Sequence, residues 1–345
     1  MKEKKDIRAL QLEDVVKFCE ANNQPKFNGS QIWQWLWQKR ALSFNEMTSL
    51  SINFRKTLDN SFVIRPIKIH NCNKSVDGTI KYSFKLYDKH LVEGVLIPSK
   101  NRLTACISSQ VGCGLACGFC ATGTLKLKRN IHASEIYDQA FLLNNEAKQR
   151  FNRPISNIVY MGMGEPLLNY NAVLSSINFI TSKIGLGMSA KRITVSTAGI
   201  AKMIKKLADD GVKFNLAVSL HSADEVTRSK LMPINEKIDL HKLKESIKYF
   251  YQKTRTKVTY EYILFKDVND SIEDAKLLAK FAKNTPCKIN LIEYNHVDNL
   301  PYSKSTNNIT NSFISYLEKN NVIVTLRKSK GKDIAAACGQ LVNKL

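Results

Sequence analysis

The chain has 345 residues, 43% of them hydrophobic and 24% charged, with 52 Lys plus Arg against 30 Asp plus Glu. A chain this long can bury a substantial core without disulfide or metal staples, and its composition excludes a disordered, collagen-like or disulfide-scaffold protein. The formal charge of +22 draws it towards polyanions. Because the excess runs through the folded region rather than a tail, nucleic acid is the expected partner.

The first residues, Met1 to Asp6, lead into no apolar stretch with a small-residue cleavage site, so no signal peptide is expected. No run of about 18 apolar residues that would span a membrane occurs. The expected compartment is the reducing cytoplasm, where clustered cysteines bind metals or do chemistry more often than they form structural disulfides.

Residues 1–62 read as short helices. Leu12, Val15, Val16 and Cys19 make one apolar stripe, and Ile32, Trp33, Leu36 and Trp37 recur at helical spacing. Trp33, Trp35 and Trp37 beside Lys39 and Arg40 suggest stacking on nucleic acid, but for Trp33 and Trp37 the core of a small bundle is the better fit. A basic helical module of this kind suits RNA docking. Residues 63–100 switch to period two: 79–86 alternates, 87–90 turns and 91–98 runs as a second strand, which predicts a β-hairpin. Glu93 lies inside that second, otherwise apolar strand. It either faces solvent or is aimed into a pocket, where a raised pKa would let it handle protons.

From about 103 to 330 strands alternate with helices. Strands are expected at 104–109, 156–161, 192–197, 214–220, 257–264, 287–293 and 321–326, and helices at 134–148, 170–183, 199–210, 240–252, 271–283 and 308–319. This alternation predicts an α/β protein with a parallel sheet and helices outside it, a partial (βα)6-type barrel rather than an eight-unit one. The expected division is an N-terminal helical module at 1–62, a hairpin region at 63–100 and a core at 101–345. In such a core, chemistry gathers at the C-terminal ends of the strands.

Of the eight cysteines, four lie between 106 and 120, and Cys113, Cys117 and Cys120 form C-x3-C-x2-C directly after the first core strand. Two readings suit three thiolates. Structural zinc wants a fourth ligand, for which Cys106 or His132 is available. A [4Fe–4S] cluster held by three cysteines leaves one iron open to bind something, and the position at a strand end favours this second reading. Later strand ends carry Gly162-Met-Gly164-Glu165-Pro166, Ser196, Ser219-Leu220-His221 and Asn295. Glycines let a backbone approach a ligand closely, and a carboxylate can pair with an ammonium. Each polar group alone fits a helix cap or a loop equally well, but together they line one rim.

The cysteine triplet, with Phe119 before its last member, resembles the cluster motif of the radical S-adenosylmethionine (SAM) superfamily. The resemblance narrows through Met161-Gly-Met-Gly-Glu-Pro-Leu167, Val218-Ser-Leu-His221, Arg228-Ser-Lys-Leu-Met-Pro-Ile-Asn235 and Asp333-Ile-Ala-Ala-Ala-Cys338-Gly-Gln-Leu341. These are similar to the RlmN/Cfr family, whose RlmN-type members methylate adenine C2 in 23S rRNA and tRNA, and the match runs through nearly the whole chain. Cfr-type relatives methylate C8 of the same rRNA adenine and carry Ala where this chain has Pro166, which favours the C2 branch.

The resemblance implies a radical SAM barrel with one [4Fe–4S] cluster on Cys113, Cys117 and Cys120. SAM would be bound by Gly164, Glu165, Ser196, Ser219, Leu220, His221 and Asn295. Adenine C2 is an electron-poor carbon without a lone pair, so displacement on a sulfonium methyl group does not alkylate it. The family's two-stage solution has Cys338 take a methyl group from one SAM as a thiolate, while a second SAM supplies a 5′-deoxyadenosyl radical that activates the S-methyl group. Cys106 stands at the position of the thiol that resolves the resulting RNA adduct, with a Cys106–Cys338 disulfide as product, and Glu93 at that of the proton acceptor. Taken singly, Cys106 and Cys338 are as well explained as small buried hydrophobes, and Cys19, Cys72 and Cys287 match no motif.

The implied partners are 23S rRNA and tRNA, with flavodoxin or ferredoxin as electron donor, and nothing demands more than a monomer. Lys126, Lys128 and Arg129, then Lys253, Arg255 and Lys257, then Arg327, Lys328, Lys330 and Lys332 are expected to flank the site and position phosphates. A target base must leave its stack to enter a barrel pocket.

Overall fold

Apolar, β-branched strands separated by amphipathic helices build one mixed sheet of ten strands in the computed structural model, which describes residues 4–342. Its parallel part follows chain order: Leu103–Cys106, Asn157–Tyr160, Ile193–Thr197, Asn215–Ser219, Val258–Leu264, Cys287–Glu293 and Val324–Arg327. The strand Val258–Leu264 is buried along its whole length, as a strand covered on both faces must be. Helices Ala133–Phe151, Tyr170–Thr181, Ala201–Asp209, Leu240–Thr254, Ile272–Ala282 and Asn307–Lys319 connect the strands. Their ends are written locally. Glu135 closes a capping box on the His132 N–H at 2.9 Å, and Asp239 accepts from the Lys242 N–H at 2.8 Å.

The expected hairpin is present as Ile80–Lys85 and Leu91–Pro98. Leu91–Pro98 pairs antiparallel with Leu103–Cys106, so the hairpin continues the core sheet. A third strand, Lys68–Lys74, adds the outer edge. The sequence reading missed it because an edge strand exposed on both sides carries no alternation: Lys-Ile-His-Asn-Cys-Asn-Lys is polar almost throughout.

The N-terminal helices Leu12–Ala21, Phe27–Trp37 and Ile52–Ser61 pack onto the core. Trp37 stacks on Phe179 and meets Tyr137 edge-on, and Trp33 packs against Trp37, so both tryptophans are core. Trp35 is half-buried, with the Lys39 ammonium 3.6 Å over its ring. Beneath this joint the buried Asp138 carboxylate pairs with Arg8 and Arg40. No helix among the described residues is long and apolar enough to cross a membrane.

The segment after Val324–Arg327 leaves one edge of the parallel strands and reaches the hairpin side. Asp333 accepts from the Ser75 hydroxyl at 2.6 Å and the Val76 N–H at 3.1 Å, and Asp77 accepts from the Gly331 N–H at 2.9 Å. Farther along, Thr122 donates to the Leu341 carbonyl at 2.6 Å and the Val342 N–H donates to Glu93 at 2.9 Å. Left-handed backbone at Gly331, Ala335 and Gly339 bends this strap. Its path brings Cys338 over the strand ends.

Candidate active site

The cysteine loop leaves the end of Leu103–Cys106 and folds back against the strap, where the Ala121 N–H donates to the Gly339 carbonyl at 2.7 Å. Cys113, Cys117 and Cys120 line one cavity, shared with Gly164, Glu165, Ser196, Ser219, His221 and Cys338. Burial pushes the Cys113 thiol up to about 11 and those of Cys117 and Cys120 upward too, and the thiols also raise one another. Metal coordination would deprotonate them.

A cluster fits this loop better than zinc does. Among the described residues no three His, Cys, Asp or Glu side chains are gathered closely enough to hold one metal ion. Zinc needs its ligands convergent on a single point, whereas the cysteines of an iron–sulfur cube each take a different iron. Neither candidate fourth ligand lines the cavity. Cys106 lies in the neighbouring cavity, and His132 is half-exposed, stacked on Tyr87.

The cavity wall opposite the loop is a cradle. Gly164 has a φ of +96°, and a Cβ there would lie 2.4 Å from the Gln110 side chain, while one at Gly162 would lie 2.6 Å from the Ser108 hydroxyl. No other residue fits. Glu165 is buried and accepts from the Leu167 N–H at 3.0 Å and the Ala198 N–H at 2.7 Å. No cation pairs with it among the described residues, and burial pushes its carboxyl up to about 7. His221 is buried with a φ of +55°. Its Nδ1 accepts from the Ile263 N–H at 3.1 Å, and burial drives its pKa down to about 3. The ring is therefore neutral, with its proton on Nε2.

Two expected SAM residues lie outside the cavity wall. The Leu220 side chain belongs to the apolar core, and its carbonyl accepts from Arg228 at 3.2 Å. Asn295 is buried beside the strap: its Nδ2 donates to the Cys338 carbonyl at 3.3 Å, and its Oδ1 has no partner. A buried amide oxygen without a donor calls for a ligand or water.

Cys338 lines the cluster-side cavity and also a second one, lined by Cys106, Cys120, Met161 and Arg327. Cys106 is 7% exposed, and burial, with Cys338 adding to it, pushes its thiol up to about 12. All eight cysteines are free thiols, so the implied Cys106–Cys338 disulfide is absent.

Glu93 answers to neither expectation. It is 2% exposed, so it does not face solvent, and it lines neither cavity. Its carboxylate meets the Lys81 ammonium at 3.3 Å and the Val342 N–H at 2.9 Å, so a cation and the strap fill the space a pocket would need.

The basic runs are also redistributed. Arg129 is consumed internally by Glu135, at 2.8 and 2.9 Å, and by Asp88. Lys253, Arg255 and Lys257 are exposed but precede Val258–Leu264, at the end of the sheet away from the cavity. Arg327 lies in the wall of both cavities, 3.3 Å from Glu261. Glu261, which the sequence reading passed over, is buried, lines the first cavity and accepts from Asn290 at 2.8 Å. Its signal was the same as that of Glu93, a carboxylate inside an apolar strand.

The model of the radical SAM superfamily matches residues 107–279, and that of the ribosomal RNA large subunit methyltransferase N-terminal domain matches residues 5–64. A "probable dual-specificity RNA methyltransferase RlmN" of Christiangramia forsetii is 53% identical, over 99% of this chain and 97% of its own length. The "dual-specificity RNA methyltransferase RlmN" of Desulfotalea psychrophila is 42% identical, over 99% of this chain and 95% of its own. The crystal structure of a radical SAM methyltransferase from Sphaerobacter thermophilus superposes with a TM-score of 0.91 at 34% identity, covering 98% of this chain and 99% of that one. The chain belongs to the RlmN family of RNA methyltransferases, within the radical SAM superfamily.

Proposed function

We propose that this protein methylates C2 of an adenine in 23S rRNA and of an adenine in tRNA, in the cytoplasm, as a monomer supplied with electrons by a flavodoxin or ferredoxin. The observation that carries this reading is the placement of Cys338, which faces the cysteine loop on one side and the cavity of Cys106 on the other. A structural metal site gives a second, separate thiol no reason to be there.

In this reading Cys113, Cys117 and Cys120 would hold a [4Fe–4S] cluster, which would supply one-electron reductive chemistry to bound SAM. Gly164, Glu165, Ser196, Ser219, Leu220, His221 and Asn295 hold SAM, with the Glu165 carboxylate against its ammonium and the His221 Nε2–H as a donor. Cys338 attacks the sulfonium methyl group as a thiolate, so that a new S–CH3 bond forms and S-adenosylhomocysteine leaves. Cys106 is the resolving thiol. Glu93 is the proton acceptor, and its Oε2 is freed only when the Val342 N–H lets go. The helical module at 1–62 docks RNA, residues 63–100 carry Glu93, and the core from 101 carries the chemistry. Lys126, Lys128, Lys328 and Lys330, exposed on the loop and strap at the mouth, take phosphates, so binding weakens as salt rises.

The test is anaerobic turnover of the reconstituted protein with labelled SAM, a reductant and unmodified 23S rRNA or tRNA, read by nucleoside mass spectrometry. 2-Methyladenosine is expected. 8-Methyladenosine would place the chain with the Cfr-type relatives, and no methylated adenosine would overturn the reading.

A further inference from the structure

Arg228 is a cation that forms no ion pair with a carboxylate among the described residues. It is 1% exposed, and its guanidinium donates to the Leu220, Ala198 and Ser219 carbonyls at 3.2, 2.9 and 3.4 Å and to Asn235 Oδ1 at 2.6 Å. All four acceptors are neutral. Burial draws its pKa down to about 10, so it stays protonated at neutral pH. Glu225 stands one step away, accepting from Asn235 Nδ2 at 2.8 Å and the Leu240 N–H at 2.8 Å. Buried charges are ordinarily paired, and this one is half-compensated through an amide.

Its surroundings show where the balance lies. Arg228 stands in the helix Glu225–Leu231, on whose last carbonyl the cysteine loop is seated: the Gly118 N–H donates to the Leu231 carbonyl at 2.9 Å. Phe119 meets His221 edge-on at 4.7 Å, closing the loop over the strand end whose carbonyl Arg228 holds. Gly199, with φ +107°, leaves room for the guanidinium, since a Cβ there would come within 3.3 Å of Nη2.

We propose that Arg228 is a positioning residue with an electrostatic role: its buried charge offsets the negative charge of the iron–sulfur cluster on Cys113, Cys117 and Cys120 and raises that cluster's reduction potential. This rests on reading the three cysteines as cluster ligands. Reduction adds an electron to a group already made anionic by three thiolates, and a fixed cation in a low-dielectric wall favours that step. Glu225 opposes it. The two side chains therefore set the potential in opposite directions.

The test is an anaerobic redox titration of the reconstituted full-length protein, followed by electron paramagnetic resonance. Arg228→Gln is expected to shift the cluster about tenfold towards the oxidised form, about 59 mV more negative for one electron. Arg228→Lys should keep most of the wild-type potential, and Glu225→Gln should move it in the positive direction. A purely structural bracket predicts no such opposition, and an unmoved potential in Glu225→Gln at wild-type iron content overturns the proposal even if Arg228→Gln fails to fold. A wild-type protein that takes up no iron would instead remove the cluster reading, and the proposal with it.

Discussion

The inner wall of the main cavity leaves buried charges open that the C-terminal strap closes. Under the strap the buried ions close on each other, Lys81 with Glu93 at 3.3 Å, and at the surface Lys332 meets Glu293 at 3.1 Å. On the inner wall Arg327 and Glu261 pair at 3.3 Å, but no cation pairs with Glu165 among the described residues and Arg228 donates only to neutral acceptors. Internally paired ions hold a segment in place, while unpaired ones store a cost that a charged ligand can remove. The strap is thus built to carry Cys338, and the wall to receive something that brings its own charges.

That contrast can be broken experimentally. If the strap delivers the reactive thiol, Cys338→Ala abolishes adenosine methylation by nucleoside mass spectrometry while iron content stays at the wild-type level; residual methylation would remove Cys338 from the chemistry. If the Lys81–Glu93 pair holds the strap, Lys81→Met strands a buried carboxylate and lowers stability by about 3 kcal/mol in urea unfolding. Glu93→Gln, which keeps an acceptor for Val342, should cost less.

On the inner wall the expected effect is one of pH. The Glu165 carboxyl keeps its proton in the native protein up to about 7, where an unfolded one ionises near 4.5. The native state therefore binds more protons between those values, and this group's contribution to stability falls as pH rises through that window. A bound ammonium favours the ionised form, so SAM affinity should drop up to about tenfold per unit below about pH 7. Calorimetric titrations should show that slope in the wild type and a flat profile in Glu165→Gln. The smallest effect belongs to Thr122→Val, which removes the 2.6 Å bond to the Leu341 carbonyl and should cost about 1 kcal/mol by the same unfolding measurement.

Local signals made much of the molecule legible. The βα alternation from Leu103 to Arg327, the hairpin about its turn at 87–90 and the three-cysteine loop each depend on spacings of a few residues. So does the assignment of Trp33 and Trp37 to the core. Where pairing partners are distant, the local signal is silent. Arg327 read as one more member of a basic run, yet the fold sets it against Glu261 in the cavity wall. Arg129 read as a phosphate contact, and Glu135 and Asp88 claim it. Arg228 and Asn235 stood in a motif without a stated purpose until the carbonyls of two neighbouring strand ends were found around the guanidinium.

By itself the sequence determined the elements, their order and the presence of a thiol-rich loop at a strand end, because helix and strand periods, caps and cysteine spacing are properties of neighbouring residues. Only the tertiary structure decided that Cys338 joins Cys106 and the cysteine loop, that Glu93 is paired to Lys81 and buried under the strap, and which charges stay open. Those outcomes depend on closing the sheet's two sides with a segment far along the chain, and a contact between distant residues leaves no period in either stretch that makes it.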